Sequence, residues 1–232
     1  LVAAAAAQEV VDDVGVLQLM LLRNYFVSRD PKAFSALAAA VHLNDGPPDP
    51  QRIAEMLSEG TCDVDEGGSC GWPPLSLALL GGDASVETVK VLIDGGANIE
   101  ASPSCRKSQT PLLLAAATRQ EACVRELVSS RASLNARDHE GQLPLMLCAG
   151  WVPDSRALRV CEYLVERGAD ASTRGADGRL AAYACALEAG NAQTAAWLQE
   201  RARVAQELAE SELLDDEDKS GRKGIKGGKS GG

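Results

Sequence analysis

Aromatic residues are scarce in this chain of 232 residues, and their scarcity limits the kind of site that it can build. Tryptophan, tyrosine and phenylalanine together make up 3% of the residues, whereas hydrophobic residues as a whole make up 45%. Bulky aromatic side chains commonly line deep ligand cavities, so the composition argues against a catalytic cavity of that kind. A chain rich in alanine, leucine and valine instead suits thin helical layers.

Histidine is also scarce, since His42 and His139 are the two in the chain. A catalytic nucleophile needs a base within reach, and His139 lies in a segment that we expect to form a surface turn. The seven cysteines include no C-x-x-C pair, so the spacing typical of zinc sites is missing. We therefore expect no enzyme activity, no cofactor, no metal ion and no small-molecule substrate.

The chain lacks an excess of positive charge and any long apolar run. Its formal net charge is −10, so the protein as a whole should not seek nucleic acid or an anionic membrane. No uncharged apolar run reaches about 18 residues, which predicts no membrane-spanning helix. The sequence favours an intracellular, cytoplasmic setting; an organelle remains open if the N-terminus has been processed, because the chain begins at Leu1.

A motif built on proline and leucine recurs along the middle of the chain. Pro74, Pro111 and Pro144 begin three clear copies, and Ala181 takes the proline position in a weaker fourth copy. The steps between them are 37, 33 and 37 residues, so the unit is about 33 residues long with short insertions. A degenerate copy, beginning near Ala36, precedes them.

The motif resembles that of the ankyrin repeat family, whose unit is a β-turn finger followed by two antiparallel helices. The resemblance runs from about Asp30 to Arg201 and implies an all-α fold. That fold is a solenoid of four to five stacked helix-turn-helix units with β-turn fingers and a helical cap at each end. The repeats are predicted near residues 30–65, 66–103, 104–137, 138–174 and 175–201.

Local chemistry supports the predicted boundaries of the helices. Proline fits the first helical position because its φ is already set and its missing N–H would have no partner there. Thr110 can cap the helix that begins at Pro111. The glycines at Gly95-Gly96 and Gly168 can supply the left-handed residue that ends a helix.

One departure from the family's pattern concerns the histidine that ties adjacent turns together. In this chain Ser76, Leu113, Met146 and Tyr183 occupy its positions, and only serine and tyrosine retain a polar atom. We therefore expect a less regular and less stable stack than a consensus array.

The cysteines divide into two groups by their positions in the repeats. Cys148 and Cys185 fall at the small-residue site of the first helices, and Cys123 and Cys161 fall in the second helices, where cysteine acts as a small hydrophobic residue. These four are expected to be structural and reduced. The other three, near the finger segments, are Cys62, Cys70 and Cys105. A disulfide between Cys62 and Cys70 is not excluded, although reducing compartments disfavour it.

The two ends differ from the repeats. Residues 1–29 are predicted to form a capping helix, with a partner-binding helix as the alternative. Residues 202–214 extend the last helix, and residues 215–232 are predicted to be a disordered tail rich in lysine and glycine. The positive charges of that tail could contact RNA weakly; the plainer alternative is a solvated tail.

In ankyrin-like stacks the finger tips and inner helices form a concave groove that commonly holds a protein partner. The resemblance places these residues in it: Trp72, Arg106, Lys107, Gln109, Arg137, His139, Gln142, Trp151, Arg174 and Arg179. Five of them are positively charged, which predicts a basic strip for an acidic or amphipathic protein segment, unless the charges are incidental. Two alternatives stay open: a structural subunit of a large assembly, anchored by its terminal helix and basic tail, and the interaction domain of a larger protein, enzymatic or not.

Overall fold

The computed structural model describes residues 35–42, 48–60, 62–68, 71–80, 85–103, 109–150, 155–173 and 182–224. These residues form five successive pairs of helices and no strand. The predicted capping helix of residues 1–29 lies outside them. In chain order the helices are α1 (Ala36–His42), α2 (Pro50–Ser58), α3 (Pro74–Leu79), α4 (Val86–Asp94), α5 (Pro111–Ala117), α6 (Glu121–Ser129), α7 (Pro144–Ala149), α8 (Ser155–Glu166), α9 (Ala182–Glu188) and α10 (Ala192–Gly224).

The helix pairs stack side by side into two layers. The odd-numbered helices form the inner layer, in which α1 contacts α3, α3 contacts α5, and so on to α9. The even-numbered helices form the outer layer, with the same order of neighbours from α2 to α10. Each pair thus buries its apolar face against the next pair, as a solenoid requires. The predicted all-α solenoid is confirmed.

The inner helices begin where the proline motif predicts. Pro74, Pro111 and Pro144 are the first residues of α3, α5 and α7. The side chain of Thr110 accepts a hydrogen bond from the N–H of Leu113, which is the predicted cap. Because proline has no N–H to lose and presets φ, these helices start at a fixed residue even though each has only six or seven residues.

Small residues allow the inner helices to approach one another. Ala115, Ala116, Cys148 and Ala149 are fully buried in α5 and α7. The outer helices contribute valine and leucine stripes, and both layers join one continuous core cluster. The fully buried stripe residues are Val89 and Leu92 in α4, Val124 and Leu127 in α6, and Val160 and Leu164 in α8. The stripes repeat at the spacing of an amphipathic helix.

The outer helices α4, α6 and α8 all end in one left-handed residue. Gly96 and Gly168 have φ of +90° and +101°, as predicted for glycine, but Arg131 occupies the matching place in α6 with φ of +70°. In all three repeats the next N–H donates to a carbonyl five residues earlier, which defines a Schellman motif. An arginine therefore adopts a conformation that glycine enters without steric strain.

We expect Arg131→Gly to raise the free energy of unfolding by about 1 kcal/mol. The change removes the roughly 1–2 kcal/mol cost of a left-handed non-glycine residue, and the greater flexibility of glycine in the unfolded chain offsets part of that gain. The melting temperature should rise by about 2–4 °C. Gly96→Ala is the matched control of opposite sign, because a Cβ there meets nothing within 4 Å and the change isolates φ. Urea unfolding measures both, and no gain for Arg131→Gly would contradict this explanation.

Adjacent repeats are joined by hydrogen bonds that the sequence analysis did not predict. At the position of the family's histidine, Ser76 is buried and its Oγ has no hydrogen-bond partner among the described residues. Carboxylates instead make hydrogen bonds between adjacent fingers. Asp65 accepts from the N–H of Asn98 at 2.9 Å, and Glu100 accepts from the N–H of Ser133 at 2.7 Å. Both pairs are 33 residues apart, so the same kind of bond is made at two successive steps of the stack.

A second set of bonds joins the loops to the ends of the inner helices. The buried Gln120 donates through Nε2 to the carbonyl of Leu79, the last residue of α3, at 2.6 Å. Asn191 donates through Nδ2 to the carbonyl of Ala149, the last residue of α7, at 2.9 Å. Helix C-terminal carbonyls lack partners within their own helix, so at these two interfaces a buried amide satisfies such a carbonyl and links two repeats.

The predicted end of the last helix is wrong. Helix α10 continues past Leu214 to Gly224, so residues 215–224 are helical rather than disordered; residues 225–232 lie outside the described part. In the sequence, Asp215 and Lys219, like Asp218 and Arg222, are four residues apart with the acid first. That spacing favours an exposed helix, and it outweighs the glycine-rich composition on which the prediction rested.

Candidate partner-binding surface

The finger between α6 and α7 is described along its whole length, and one carboxylate organises it. Oδ1 of Asp138 accepts from the N–H groups of Glu140 at 2.9 Å and Gln142 at 2.8 Å. The backbone closes the turn, because the Asp138 N–H donates to Gln142 and the Gly141 N–H donates to Asp138. Gly141 takes φ of +78°, which glycine tolerates best. The tip therefore has a fixed backbone shape.

Exposed polar side chains extend from this fixed turn. The side chains of His139 and Glu140 are 65% and 59% exposed and lie 3.6 Å apart. Arg137 is also exposed, and its Nη1 donates to the carbonyl of Gly141 at 2.8 Å. Gln142 is half-buried and donates to Glu140. Of the predicted binding residues, the structure thus brings Arg137, His139 and Gln142 together on one finger.

The charge of this finger is mixed rather than basic. Arg137 contributes one positive charge, whereas Asp138 and Glu140 contribute two negative charges. The predicted basic strip therefore depends on neighbouring fingers. Its remaining charged members and its second tryptophan lie outside the described residues: Arg106, Lys107, Trp151, Arg174 and Arg179.

Trp72 is not an exposed anchor, which corrects the sequence prediction. The residue is 5% exposed and belongs to the continuous core cluster. Its backbone crosses directly over Gly67, where an added Cβ would lie 2.3 Å from the Trp72 carbonyl oxygen. The indole therefore packs in the core and is not offered to a partner.

Gln109 is also less available than predicted. It is half-buried, and its Oε1 is fully buried without a hydrogen-bond partner among the described residues. The residue directly precedes the Thr110 cap, where the chain turns into α5. Its amide oxygen is therefore turned away from solvent.

Three arginines on or next to the outer helices already contact other side chains: Arg125, Arg159 and Arg167. Arg125 and Arg159 both contact Glu121, at 3.1 Å and 2.9 Å, and Arg159 thereby links α8 to α6. Burial tends to raise the pKa of Glu121, but hydrogen bonds and charge from Arg159 and Arg125 outweigh it and hold that pKa below its usual range. The guanidinium groups of Arg125 and Arg167 stack on the ring of Tyr163. These contacts join the outer helices of successive repeats and reduce the positive charge offered to a partner there.

Two other kinds of site are absent from the described ranges. No group of three or more histidine, cysteine, aspartate or glutamate side chains is arranged to hold a metal ion there. In the same residues, no helix combines the length and the apolar character that crossing a bilayer needs.

Comparison with known proteins identifies the repeats. A family model described as ankyrin repeats (3 copies) matches residues 37–138 and 99–175, which together cover more than half of the chain. A comparison with curated proteins gives no significant match.

Proposed function

Because the chain belongs to the ankyrin repeat family, we propose that it is a non-enzymatic binding module that holds a segment of a partner protein in its concave groove. Proteins with ankyrin repeats generally bind other proteins and are typically not enzymes. The fold alone does not name a partner, so the finer proposal depends on the finger between α6 and α7.

The observation that carries the proposal is the combination of a fixed backbone and exposed side chains on that finger. Asp138 holds the turn by two backbone N–H groups, while Arg137, His139 and Glu140 remain exposed. A preordered loop loses little conformational entropy on binding, so more of the contact energy appears as affinity. Exposed polar groups on a rigid scaffold are the usual features of a recognition loop.

The finger also indicates the chemistry of the partner segment. Arg137 and Glu140 are both exposed and carry opposite charges, which favours an amphipathic segment with mixed charges over a uniformly acidic one. In the sequence, further positive charges precede and follow this finger, at Arg106, Lys107, Arg174 and Arg179. Complementary charges of this kind speed association and select partners more than they add affinity.

We expect Arg137→Glu to weaken binding to a partner captured from the native source by roughly tenfold or more, about 1.4 kcal/mol. The loss should be larger at low salt, since screening weakens exposed charge pairs. Arg137→Gln should give an intermediate loss, because it removes the charge without reversing it. Isothermal titration with the captured partner measures both affinities.

Arg52→Glu is the matched control. Arg52 is an exposed arginine of outer helix α2, so the same change in charge is made away from the fingers. The proposal predicts that this control binds as the parent chain does. Equal weakening by Arg52→Glu and Arg137→Glu would show a general charge effect and contradict the groove assignment.

Helix α10 favours a second candidate function, in which the chain is a structural subunit of a larger assembly. The helix has 33 residues, and its Leu208 is 59% exposed. A single exposed leucine is common on protein surfaces, so this candidate ranks below the groove. It predicts that partner capture survives every finger substitution and is lost when residues 203–232 are removed.

A further inference from the structure

Two buried cysteines face each other inside the fourth helix pair. Cys148 lies in inner helix α7 and Cys161 in outer helix α8, and both are fully buried. Their sulfur atoms are 2.8 Å apart, and both thiols are free. The repeat pattern predicts only two separate hydrophobic residues in different helices, because it contains no signal that these two side chains meet.

The short separation indicates which chemistry the pair can perform. Two thiolates on one metal ion would lie about 3.7 Å apart or more, given a Zn–S distance of about 2.3 Å. A disulfide bond needs about 2.03–2.05 Å, so the sulfur atoms need only a small movement toward each other. The contact leaves no room for an atom between the sulfurs, which favours a bond between them over a shared metal ion.

We propose that Cys148 and Cys161 form a site of oxidative modification, at which a small peroxide converts the two thiols into a disulfide linking α7 to α8. Neither sulfur is exposed, so a bulky oxidant such as a peptide disulfide cannot reach them without unfolding of the repeat. Hydrogen peroxide is close to water in size, so it meets this limit on the size of the oxidant.

Hydrogen peroxide would oxidise the pair in two steps. One thiolate attacks an oxygen of hydrogen peroxide, which breaks the O–O bond and gives a sulfenic acid and hydroxide. The second sulfur, after losing its proton, attacks the sulfenic sulfur and expels the second hydroxide, and the two released protons convert both hydroxides to water. Two thiols and one peroxide thus give one disulfide and two waters; the sulfurs lose two electrons and the peroxide gains them.

The surroundings of the pair make this reaction slow and sensitive to local opening. Burial raises the pKa of the Cys148 thiol and the neighbouring Cys161 raises it further, while the nearby Arg119 acts in the opposite direction. Nε of Arg119 donates to the Cys148 carbonyl at 3.2 Å, which places a cation beside the pair. Because the thiolate is the reactive form, oxidation should become faster as the pH rises.

The disulfide would link two residues 13 positions apart within one repeat. A link of that length restricts the unfolded chain, so the oxidised protein should melt roughly 5–10 °C higher than the reduced one. The link would also fix inner helix α7, which follows the finger that carries Arg137, against its outer partner.

Peptide mapping of the full chain after exposure to hydrogen peroxide tests the proposal. Cleavage after lysine and arginine places the cysteines in separate peptides, residues 138–156 and 160–167, so a disulfide joins them into one species. The native protein is treated with peroxide, quenched, unfolded with a thiol-blocking reagent present, and digested without reduction. Cys161→Ser removes the pair, and Cys123→Ser removes a cysteine that is equally buried in α6.

We expect the joined peptide in the parent chain and in Cys123→Ser, its absence from Cys161→Ser, and its loss after reduction. The rate of its formation should increase with pH, and the melting temperature should rise with it. The proposal is overturned if peroxide oxidises the half-buried Cys62 of the parent chain while Cys148 and Cys161 are recovered with the blocking reagent attached and without a link. A link from either residue to a different cysteine would also overturn it. The result for the parent chain decides the matter even if Cys161→Ser folds poorly.

Discussion

Replacing Trp72 with alanine is expected to lower the free energy of unfolding by about 3–5 kcal/mol, the range for a large aromatic residue removed from a core. Trp72 is 5% exposed and packs in the same cluster as Leu75 of α3. Removing the indole leaves a cavity that the surrounding helices fill only in part, so both burial and packing contacts are lost. Urea unfolding followed by circular dichroism measures the change without relying on tryptophan fluorescence.

Trp197→Ala is the matched control for this experiment. Trp197 in α10 is half-buried and lies under the guanidinium of Arg201, so its removal should reduce stability by less. If Trp72 were an exposed groove residue, its substitution would change stability by under about 0.5 kcal/mol and would act on binding alone. That outcome would contradict the assignment of Trp72 to the core.

Replacing Gly67 with alanine should destabilise the same finger by about 3 kcal/mol, the upper end of the usual range for overpacking. A Cβ at this position would lie 2.3 Å, 2.5 Å and 2.7 Å from the carbonyl oxygen, carbonyl carbon and nitrogen of Trp72. All three are backbone atoms, so no rotation of a side chain relieves the clash and the finger itself has to move. Thermal unfolding of the full chain measures the loss.

Gly60→Ala separates this clash from the general effect of removing a glycine. Gly60 has φ of +66° and a Cβ there meets nothing within 4 Å, so its substitution should cost only the roughly 1–2 kcal/mol of a left-handed residue. The account predicts a larger loss for Gly67→Ala than for Gly60→Ala. The reverse order would show that the backbone of Trp72 does not lie against Gly67.

Much of the fold could be predicted because its determinants act over a few residues. Pro111 and Thr110 fix a helix start through their own φ and hydroxyl group, and Gly96 ends a helix through its own backbone freedom. The small residues of α5 and α7 indicate that neighbouring inner helices approach closely at those positions. Such signals recur with the repeat, so one copy supports the interpretation of the next, and the family match over residues 37–175 confirms the result.

The remaining features depend on contacts between residues far apart in the sequence. Gln120 and Leu79 are 41 residues apart, and no local signal distinguishes a glutamine that reaches a neighbouring helix from one in solvent. The backbone of Trp72 lies against Gly67, a close approach that the repeat register does not contain. The meeting of Cys148 with Cys161 likewise depends on the angle between α7 and α8.

The candidate site was predicted less completely than the fold. The register correctly places Arg137 and His139 on an exposed finger, since both are exposed. It did not anticipate that Asp138 would lock the backbone of the turn, although an Asp followed three residues later by glycine is a recognisable turn signal. Binding by these residues stays a prediction.

Affinity capture with the parent chain and with a variant carrying Arg137→Glu, Arg174→Glu and Arg179→Glu tests the central claim most directly. The melting temperatures of the two proteins are first shown to agree. The proteins that each one captures are then compared by quantitative mass spectrometry at low and moderate salt. The account predicts a partner that the parent chain captures in a salt-sensitive manner and the variant loses. Retention of the same partners by both proteins would contradict the groove and would favour α10 or the outer layer as the site of assembly.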